Sequence, residues 1–476
     1  MVILGGLFGA FFAALGLAAL LGPDLGYGGD AAGLCGMAAI LGLMVCGAGL
    51  LFSLFHPTRG LPSIAVGGLI GLGVFLLVAG PVLRTAWSAP LDRPSGIRAV
   101  GSWTSGDLVV RARPDQVVAY RGATGEVVWR WSPPGEDSVC AMSRESGHGL
   151  GLIGHAGLNQ PCAGVVALDL STGASRWTAQ LDAPARTGDA ATDGLLAIAG
   201  DRAVLQENAG WRAVNLADGT AAWRSDADPG CSPLRVAGSP TAVVTVAQCG
   251  TGGPLLRSLT ASDGRERTRA VLPMANGLNA VAVLATDPLT VWADEKGDRG
   301  THAVLSFDGA GRLRSSIPVS GAEYDLDITL GTPSLSFPKF TARPSYGAVV
   351  VGDLLIAPGE KPGDVTYSTG KNHAVTRNAI GHLVAYSLAD GGKKWTVALE
   401  DQVTGIALDA DGTGVWALTR MKLTRIEAAT GHPATSLDIN FVKSENPVDL
   451  SVSGPNRFTL VAPDGAGDEP PARGLH

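Results

Sequence analysis

The chain has 476 residues, a formal net charge of −7 and 46% hydrophobic residues. That length exceeds one ordinary domain, although some architectures take several hundred residues as a single unit. Asp24 and Asp30 cancel Arg59 and Arg84 in the first 85 residues, so the net charge lies later, and no basic stripe appears there to argue for nucleic acid.

Residues 2–21, 31–55 and 62–83 carry no charge and are long enough to cross a bilayer, so residues 1–84 are expected to form a membrane domain of three transmembrane helices. A signal peptide is the alternative for the first, but it lacks a basic n-region and a good cleavage site. Small residues four apart, Gly5 with Gly9 and Gly67 with Gly71, suit close helix packing. No ionisable residue lies within a span, which leaves no proton or ion path and makes anchoring the expected role. Cys35 and Cys46 fall in the second span and read as inert thiols. The loop 22–30 carries only acids and the loop 56–61 carries Arg59, so the second loop is assigned to the cytoplasm and the remainder of the chain to the outside. Residues 85–98, "TAWSAPLDRPSGIR", read as a linker, with Trp87 at the lipid interface.

After it a unit repeats. "VVALDLSTGASRW", Val165–Trp177, returns as "VVAYRGATGEVVW" ending at Trp129, "WRAVNLADGTAAW" ending at Trp223 and "LVAYSLADGGKKW" ending at Trp395. Copies around Gly264, Gly311 and Gly431 lack the tryptophan. From Gly125 to Gly173, Gly219, Gly264 and Gly311 the steps are 48, 46, 45 and 47 residues, then 80 to Gly391 and 40 to Gly431. Each copy is a hairpin: small apolar residues alternate, a glycine closes the turn, and the next strand carries the tryptophan. A lone hairpin cannot bury such a tryptophan, so the units must stack around an axis, and the period is that of a propeller blade. Seven hairpins give seven blades, or eight if Val448–Pro463 or Tyr324–Phe340 forms another. The Val448–Pro463 strands are expected to close the ring against a strand near Ile97, with residues 99–464 as the propeller and 465–476 as a disordered tail. The expected fold class is therefore an all-β propeller preceded by three transmembrane helices.

The unit Ala167–Trp177 resembles the repeat of the pyrroloquinoline-quinone-like (PQQ-like) propeller superfamily, which includes quinoprotein dehydrogenases and outer-membrane-assembly propeller lipoproteins. The resemblance runs roughly from Gly101 to Asp464 and implies the fold, while the superfamily mixes enzymes with non-catalytic scaffolds.

Cys140 and Cys162 bracket the first two strands of one repeat, and Cys231 and Cys249 do so two repeats later. On adjoining strands of one blade either pair would form a disulfide, placing the propeller in an oxidising space; four free buried thiols are the alternative. The interval between Gly311 and Gly391 contains a polar, turn-rich stretch, 359–381, expected to be a binding loop through Tyr367, Lys371, Asn372, His373 and Arg377, or else a disordered insertion.

Catalytic signatures are missing. His148 and His155 do not have metal-ligand spacing, and Asp409, Asp411 and Gly412 in "DADGTG" read as a turn rather than a calcium loop. Glu323, Asp325 and Asp327 alternate along a strand and are expected to be solvated or to face the central channel. The quinoprotein enzymes carry a larger propeller, often vicinal cysteines over the quinone, and an Asp/Glu/Asn set on calcium. This chain has no adjacent cysteines, so no catalytic, cofactor or metal residue is carried over. The expected function is a bacterial, membrane-anchored, extracytoplasmic propeller that binds a protein or cell-envelope component without catalysis and without a cofactor. A PQQ-dependent membrane dehydrogenase and a membrane sensor are the alternatives.

Overall fold

The computed structural model describes residues 8, 10–15, 17–18, 27–28, 66, 69–72, 74, 80–93 and 99–476, except 159, 183–193, 251, 298, 322, 331–344, 370–374, 440–447 and 463–469. Within each repeat the chain moves outward through antiparallel strands, and eight such sheets are arranged as the blades of a propeller. Blades 1 to 5 span 101–131, 138–180, 196–226, 231–271 and 278–318; blade 6 takes 325–398, blade 7 takes 405–439, and blade 8 combines 449–475 with 85–88.

Burial follows from this stacking. The third strand of blade 2, Gly164–Asp169, is buried at every position because a neighbouring blade covers each face. The outer strand Ser175–Gln180 buries only Trp177. The constant spacing from alanine to tryptophan is a cross-strand pairing: Ala119 lies opposite Trp129, Ala167 opposite Trp177, Ala213 opposite Trp223 and Ala385 opposite Trp395. In all four a register shift follows the alanine, which fixes the count of intervening residues.

Each tryptophan reaches the following blade. Trp129, Trp177, Trp223 and Trp395 donate their indole N–H to the carbonyls of Leu170, Leu216, Ala261 and Ala428 at 2.7 to 2.9 Å. Each acceptor lies three residues before a turn glycine, and the indole ring covers that glycine. At Gly173 φ is +73°, and an added Cβ would come within 2.6 Å of the Trp129 ring, so the site demands glycine for both backbone and space. In blades 4 and 5 the tryptophan position holds Thr268 and Ser315, whose hydroxyls donate to Gly309 and Leu388 at 2.9 and 2.8 Å.

The ring closes with the N-terminal strand. Thr85–Ser88, expected as linker, is the outer strand of blade 8, antiparallel to Ala472–Leu475, expected as disordered tail. Trp87 is correspondingly not a lipid-interface residue: it is 7% exposed and lies opposite Gly474. It donates to Gly122 O at 2.7 Å and covers Gly125 of blade 1. The expected partner strand near Ile97 lies outside the described residues. Asp92, also within the expected linker, is buried between Arg111 and Arg113 of blade 1 at 2.8 and 2.9 Å.

Among the described residues no helix is long and apolar enough to cross a membrane. The expected spans 2–21 and 31–55, with Cys35 and Cys46, lie largely outside the described residues. The end of the expected span 62–83 is not helical: Gly80–Leu83 is a strand, paired parallel to blade 7 through Val82 with Asp438 and Leu83 with Ile439. Leu83 is buried there with Trp416, Leu418 and Leu437, which is why an apolar segment leaves its helix and joins the sheet. Tyr27–Gly28, between the first two expected spans, pairs with Gly80 and Pro81. Gly71 approaches the backbone of Phe11, where a Cβ would meet the carbonyl oxygen, the close packing expected of that glycine.

Two measurements test this frame. Truncating Trp87 to alanine removes a buried indole from the closure and should cost about 3–5 kcal/mol, the usual range for such a deletion; the thermal unfolding midpoint should fall far more than for Val128→Ala on the exposed outer strand of blade 1. Asp169 caps the turn of blade 2, accepting from the Ser171 hydroxyl and amide, the Thr172 amide and Arg176. Those bonds, the Ser171 hydroxyl foremost, hold its carboxyl at about 2. Folding lowers this pKa from about 3.9, so the stabilisation is present above about pH 4 and is lost as pH falls toward 2. Arg176 is 58% exposed, so screening leaves on the order of 1 kcal/mol. The difference in melting temperature between Asp169→Asn and the parent should therefore shrink between pH 5 and pH 3.

Candidate functional site

The interval from Gly311 to Gly391 is a single blade enlarged twice. Asp325–Leu326 and Val349–Val351 both pair with the strand Leu354–Thr369, so they share the innermost position of blade 6; of the stretch Tyr324–Phe340, residues 331–340 lie outside the described residues and Asp325–Leu326 belongs to blade 6. Between them Thr329–Leu330 pairs with Ser345–Tyr346. The second enlargement is the stretch 359–381. It is not a loop: Leu354–Thr369 and Val375–Ser387 form one long hairpin whose register slips between Glu360 and Val365 and then continues from Val365 opposite Ala379 to Thr369 opposite Val375. The partners Glu360 with Asp325 and His382 with Ala398 mark where neighbouring strands stop. Beyond them the hairpin is an arm of two strands with both outer edges unpaired among the described residues.

Of the sequence-derived site residues, Tyr367 and Arg377 lie directly opposite one another on this arm. Lys371, Asn372 and His373 lie outside the described residues. At the arm's root Tyr324 is buried, with Lys361 and Lys393 over its ring at 5.5 and 5.2 Å and His382 edge-on at 5.3 Å. Glu323 pairs with Lys393 and Asp325 is exposed, so these acids are solvated or paired at the blade surface.

The second concave feature lies on the propeller axis. Ser102, Trp103 and Thr104 of blade 1, Val349 of blade 6, Ile406 of blade 7 and Asp449, Leu450 and Ser451 of blade 8 converge with Arg144 and Ser146 of blade 2 around a cavity of about 300 Å³. Arg144 crosses from blade 2 to blade 5, donating through Nη1 to Val283 O at 3.0 Å. Ser102 Oγ donates to Asp449 Oδ2 at 2.8 Å. These residues belong to no repeated motif, and only their place on inner strands, or just past one in the case of Arg144 and Ser146, reveals them.

A planar tricarboxylate quinone requires several cations and flat faces. This lining offers one guanidinium and one carboxylate. Its single aromatic side chain, Trp103, is committed elsewhere, with its N–H on Ser143 O at 2.8 Å and its ring over Gly151. The residues present do not fit that cofactor. Among the described residues no group of three or more His, Cys, Asp or Glu is placed to hold a metal ion. His155 meets Asp137 at 2.7 Å, and "DADGTG" is a turn in which Asp411 accepts from Thr413 and Asp409 from Arg425.

Both cysteine pairs are disulfides. Cys140–Cys162 joins blade 2 across a Cα separation of 5.9 Å and Cys231–Cys249 joins the facing ends of two strands of blade 4 across 4.0 Å.

Residues 159–313 match the family model described as outer membrane protein assembly factor BamB. No curated protein sequence matches the chain. Among solved structures, BamB from Moraxella catarrhalis is 17% identical, covering 83% of this chain and 97% of its own, with a TM-score of 0.45. The quinohemoprotein alcohol dehydrogenase ADHIIG from Pseudomonas putida HK5 is 13% identical, with coverages of 80% and 72% and a TM-score of 0.47. The computationally designed Ika8 protein is 11% identical, with coverages of 82% and 99% and a TM-score of 0.49.

The two disulfides should differ in accessibility. Cys140 and Cys162 are 0% and 1% exposed, whereas Cys231 and Cys249 are half-buried. Under graded reduction with alkylation and mass spectrometry, Cys231–Cys249 should open first, and Cys140–Cys162 only with unfolding.

Proposed function

The fold is that of a PQQ-like β-propeller, and we propose that it serves as a membrane-anchored, extracytoplasmic module that binds a protein or cell-envelope component without catalysing a reaction. The arm of blade 6 carries this reading. Two strands continue past their blade with edges that are unpaired among the described residues, and natural sheets otherwise blunt or cover such edges. An exposed edge on a rigid scaffold supplies main-chain donors and acceptors for an added strand, the basis of β-augmentation. The arm also interrupts the repeat at the one place where the period doubles, so the ring does not need it for closure.

The compartment is argued from the disulfides, which persist in oxidising spaces. Membrane anchoring rests on the uncharged segments 2–21, 31–55 and 62–79. The pairing of Tyr27–Gly28 with Gly80–Pro81 supports an arrangement in which the loop after the first span and the start of the propeller share one side of the membrane.

A photo-crosslinking residue placed at Tyr367 in cells should capture a defined partner, identified by mass spectrometry. Replacing residues 361–380 by a two-residue turn should abolish the capture while leaving the melting temperature within a few degrees. Dye reduction by the purified chain supplied with quinone and calcium would overturn the proposal in favour of a dehydrogenase, and so would capture unaffected by removing the arm.

A further inference from the structure

Where the chain enters blade 1 it walls a separate cavity of about 140 Å³. Among the described residues the lining holds the guanidiniums of Arg93, Arg111, Arg113 and Arg130 and one carboxylate, Asp92. We propose that this cavity receives the phosphate group of an anionic phospholipid. The inference rests on the membrane anchoring proposed above and is independent of the arm.

The four arginines differ in what already balances them. Arg111 and Arg113 are each 2% exposed and share Asp92 at 2.8 and 2.9 Å, and Arg113 also pairs with Asp115 at 2.9 Å. Arg93 and Arg130 are exposed, and neither makes an ion pair or hydrogen bond among the described residues. Four guanidiniums against Asp92 and Asp115 leave two positive charges. Guanidiniums hold phosphate through charge-assisted, bidentate hydrogen bonds, so the excess suits such a group. Two further donors face the same need. Arg111 Nη2 touches Asp92 without an aligned hydrogen bond, and a buried donor in that condition calls for another acceptor. The Tyr120 phenol lies within the field of Arg111, Asp92, Arg130 and Arg113, and burial holds it above its ordinary pKa, so at neutral pH its hydroxyl is protonated and can donate to an anion.

Location selects a lipid over a soluble anion. Only the short strands Gly80–Leu83 and Thr85–Ser88 separate the uncharged segment 62–79 from Pro90 and Leu91 on the cavity wall. Cationic side chains next to a membrane span are drawn to anionic headgroups. Leu91, 46% exposed, and Val127 give the cavity an apolar margin for the glycerol and the first acyl carbons.

The test is isothermal titration of the full-length chain, solubilised in an uncharged detergent, with dioctanoyl phosphatidylglycerol, dioctanoylglycerol and inorganic phosphate. Phosphatidylglycerol should bind, and the other two should bind at least about tenfold more weakly, because each lacks one half of the recognised group. The double variant Arg93→Gln/Arg130→Gln should lose at least about tenfold in that affinity while its melting temperature stays that of the parent. Arg265→Gln/Arg312→Gln removes the same charge from two other exposed arginines and should leave the affinity unchanged. No heat with phosphatidylglycerol up to about 1 mM, parental affinity in the first double variant, or an equal loss in the second would each overturn the proposal. Inorganic phosphate binding as tightly as the lipid would overturn it in favour of a soluble anion. Anchoring is read separately: release of the chain from membranes by alkaline carbonate overturns the anchoring, whereas a chain that stays in the membrane yet binds no phosphatidylglycerol overturns the cavity's assignment alone.

Discussion

One contact organises the ring: an indole lying on a glycine of the next blade while its N–H reaches a carbonyl three residues earlier. It combines burial of a large apolar surface with satisfaction of the one polar atom that burial would otherwise leave unpaired. It also sets geometry, because the glycine's positive φ and missing Cβ let the two sheets approach only along that line. The register shift beside each alanine turns the indole toward the neighbour. A residue change in one hairpin is therefore felt in the packing of two blades.

The same contact explains which parts of the fold were legible in the sequence. Trp129, Trp177, Trp223 and Trp395 stand four residues after a turn glycine, and that fixed interval exposes the repeat. Thr268 and Ser315 occupy the equivalent position and keep only the hydrogen bond, so their copies look degenerate although their blades are complete. In blade 7 the position is Thr435; blade 8 has no turn to receive it, because its third and fourth strands come from opposite ends of the chain. The role of Trp87 is hidden in the sequence for that reason. Its glycine partners, Gly125 and Gly474, lie in another blade and at the far end of the chain, and no local pattern links them. The segment Ala472–Leu475 is four residues long and places Gly474 beneath Trp87 with only Ala472 and Leu475 as apolar core residues, so "ARGL" carries no strand signature.

The candidate sites differ in legibility along the same line. The arm announces itself as a break in the period, although its strand character was hidden by a composition of glycine, threonine and asparagine that also suits loops. Arg144 and Asp449 lie 305 positions apart in the sequence and line one cavity only because the ring brings blades 2 and 8 to a common axis. A closed ring makes such convergence inexpensive: inner strands already point residues at the axis, and a few polar substitutions there leave the inter-blade core untouched.

Closure by the N-terminal strand has a mechanical consequence. Residues 80–83 extend blade 7 and residues 85–88 complete blade 8, with Arg84 between them exchanging backbone hydrogen bonds with His476. Asp92 then ties the following segment to two arginines that are almost wholly buried. Removing one member of such a buried ionic cluster leaves an uncompensated charge, so the three side chains hold the chain to blade 1 as it enters that blade. The segment that joins the N-terminal region to the propeller is thus built into two blades rather than strung between domains as a flexible linker. Whatever holds residues before Gly80 holds the ring by its rim at blades 7 and 8, and a load applied there is borne by sheet hydrogen bonds and by Trp87.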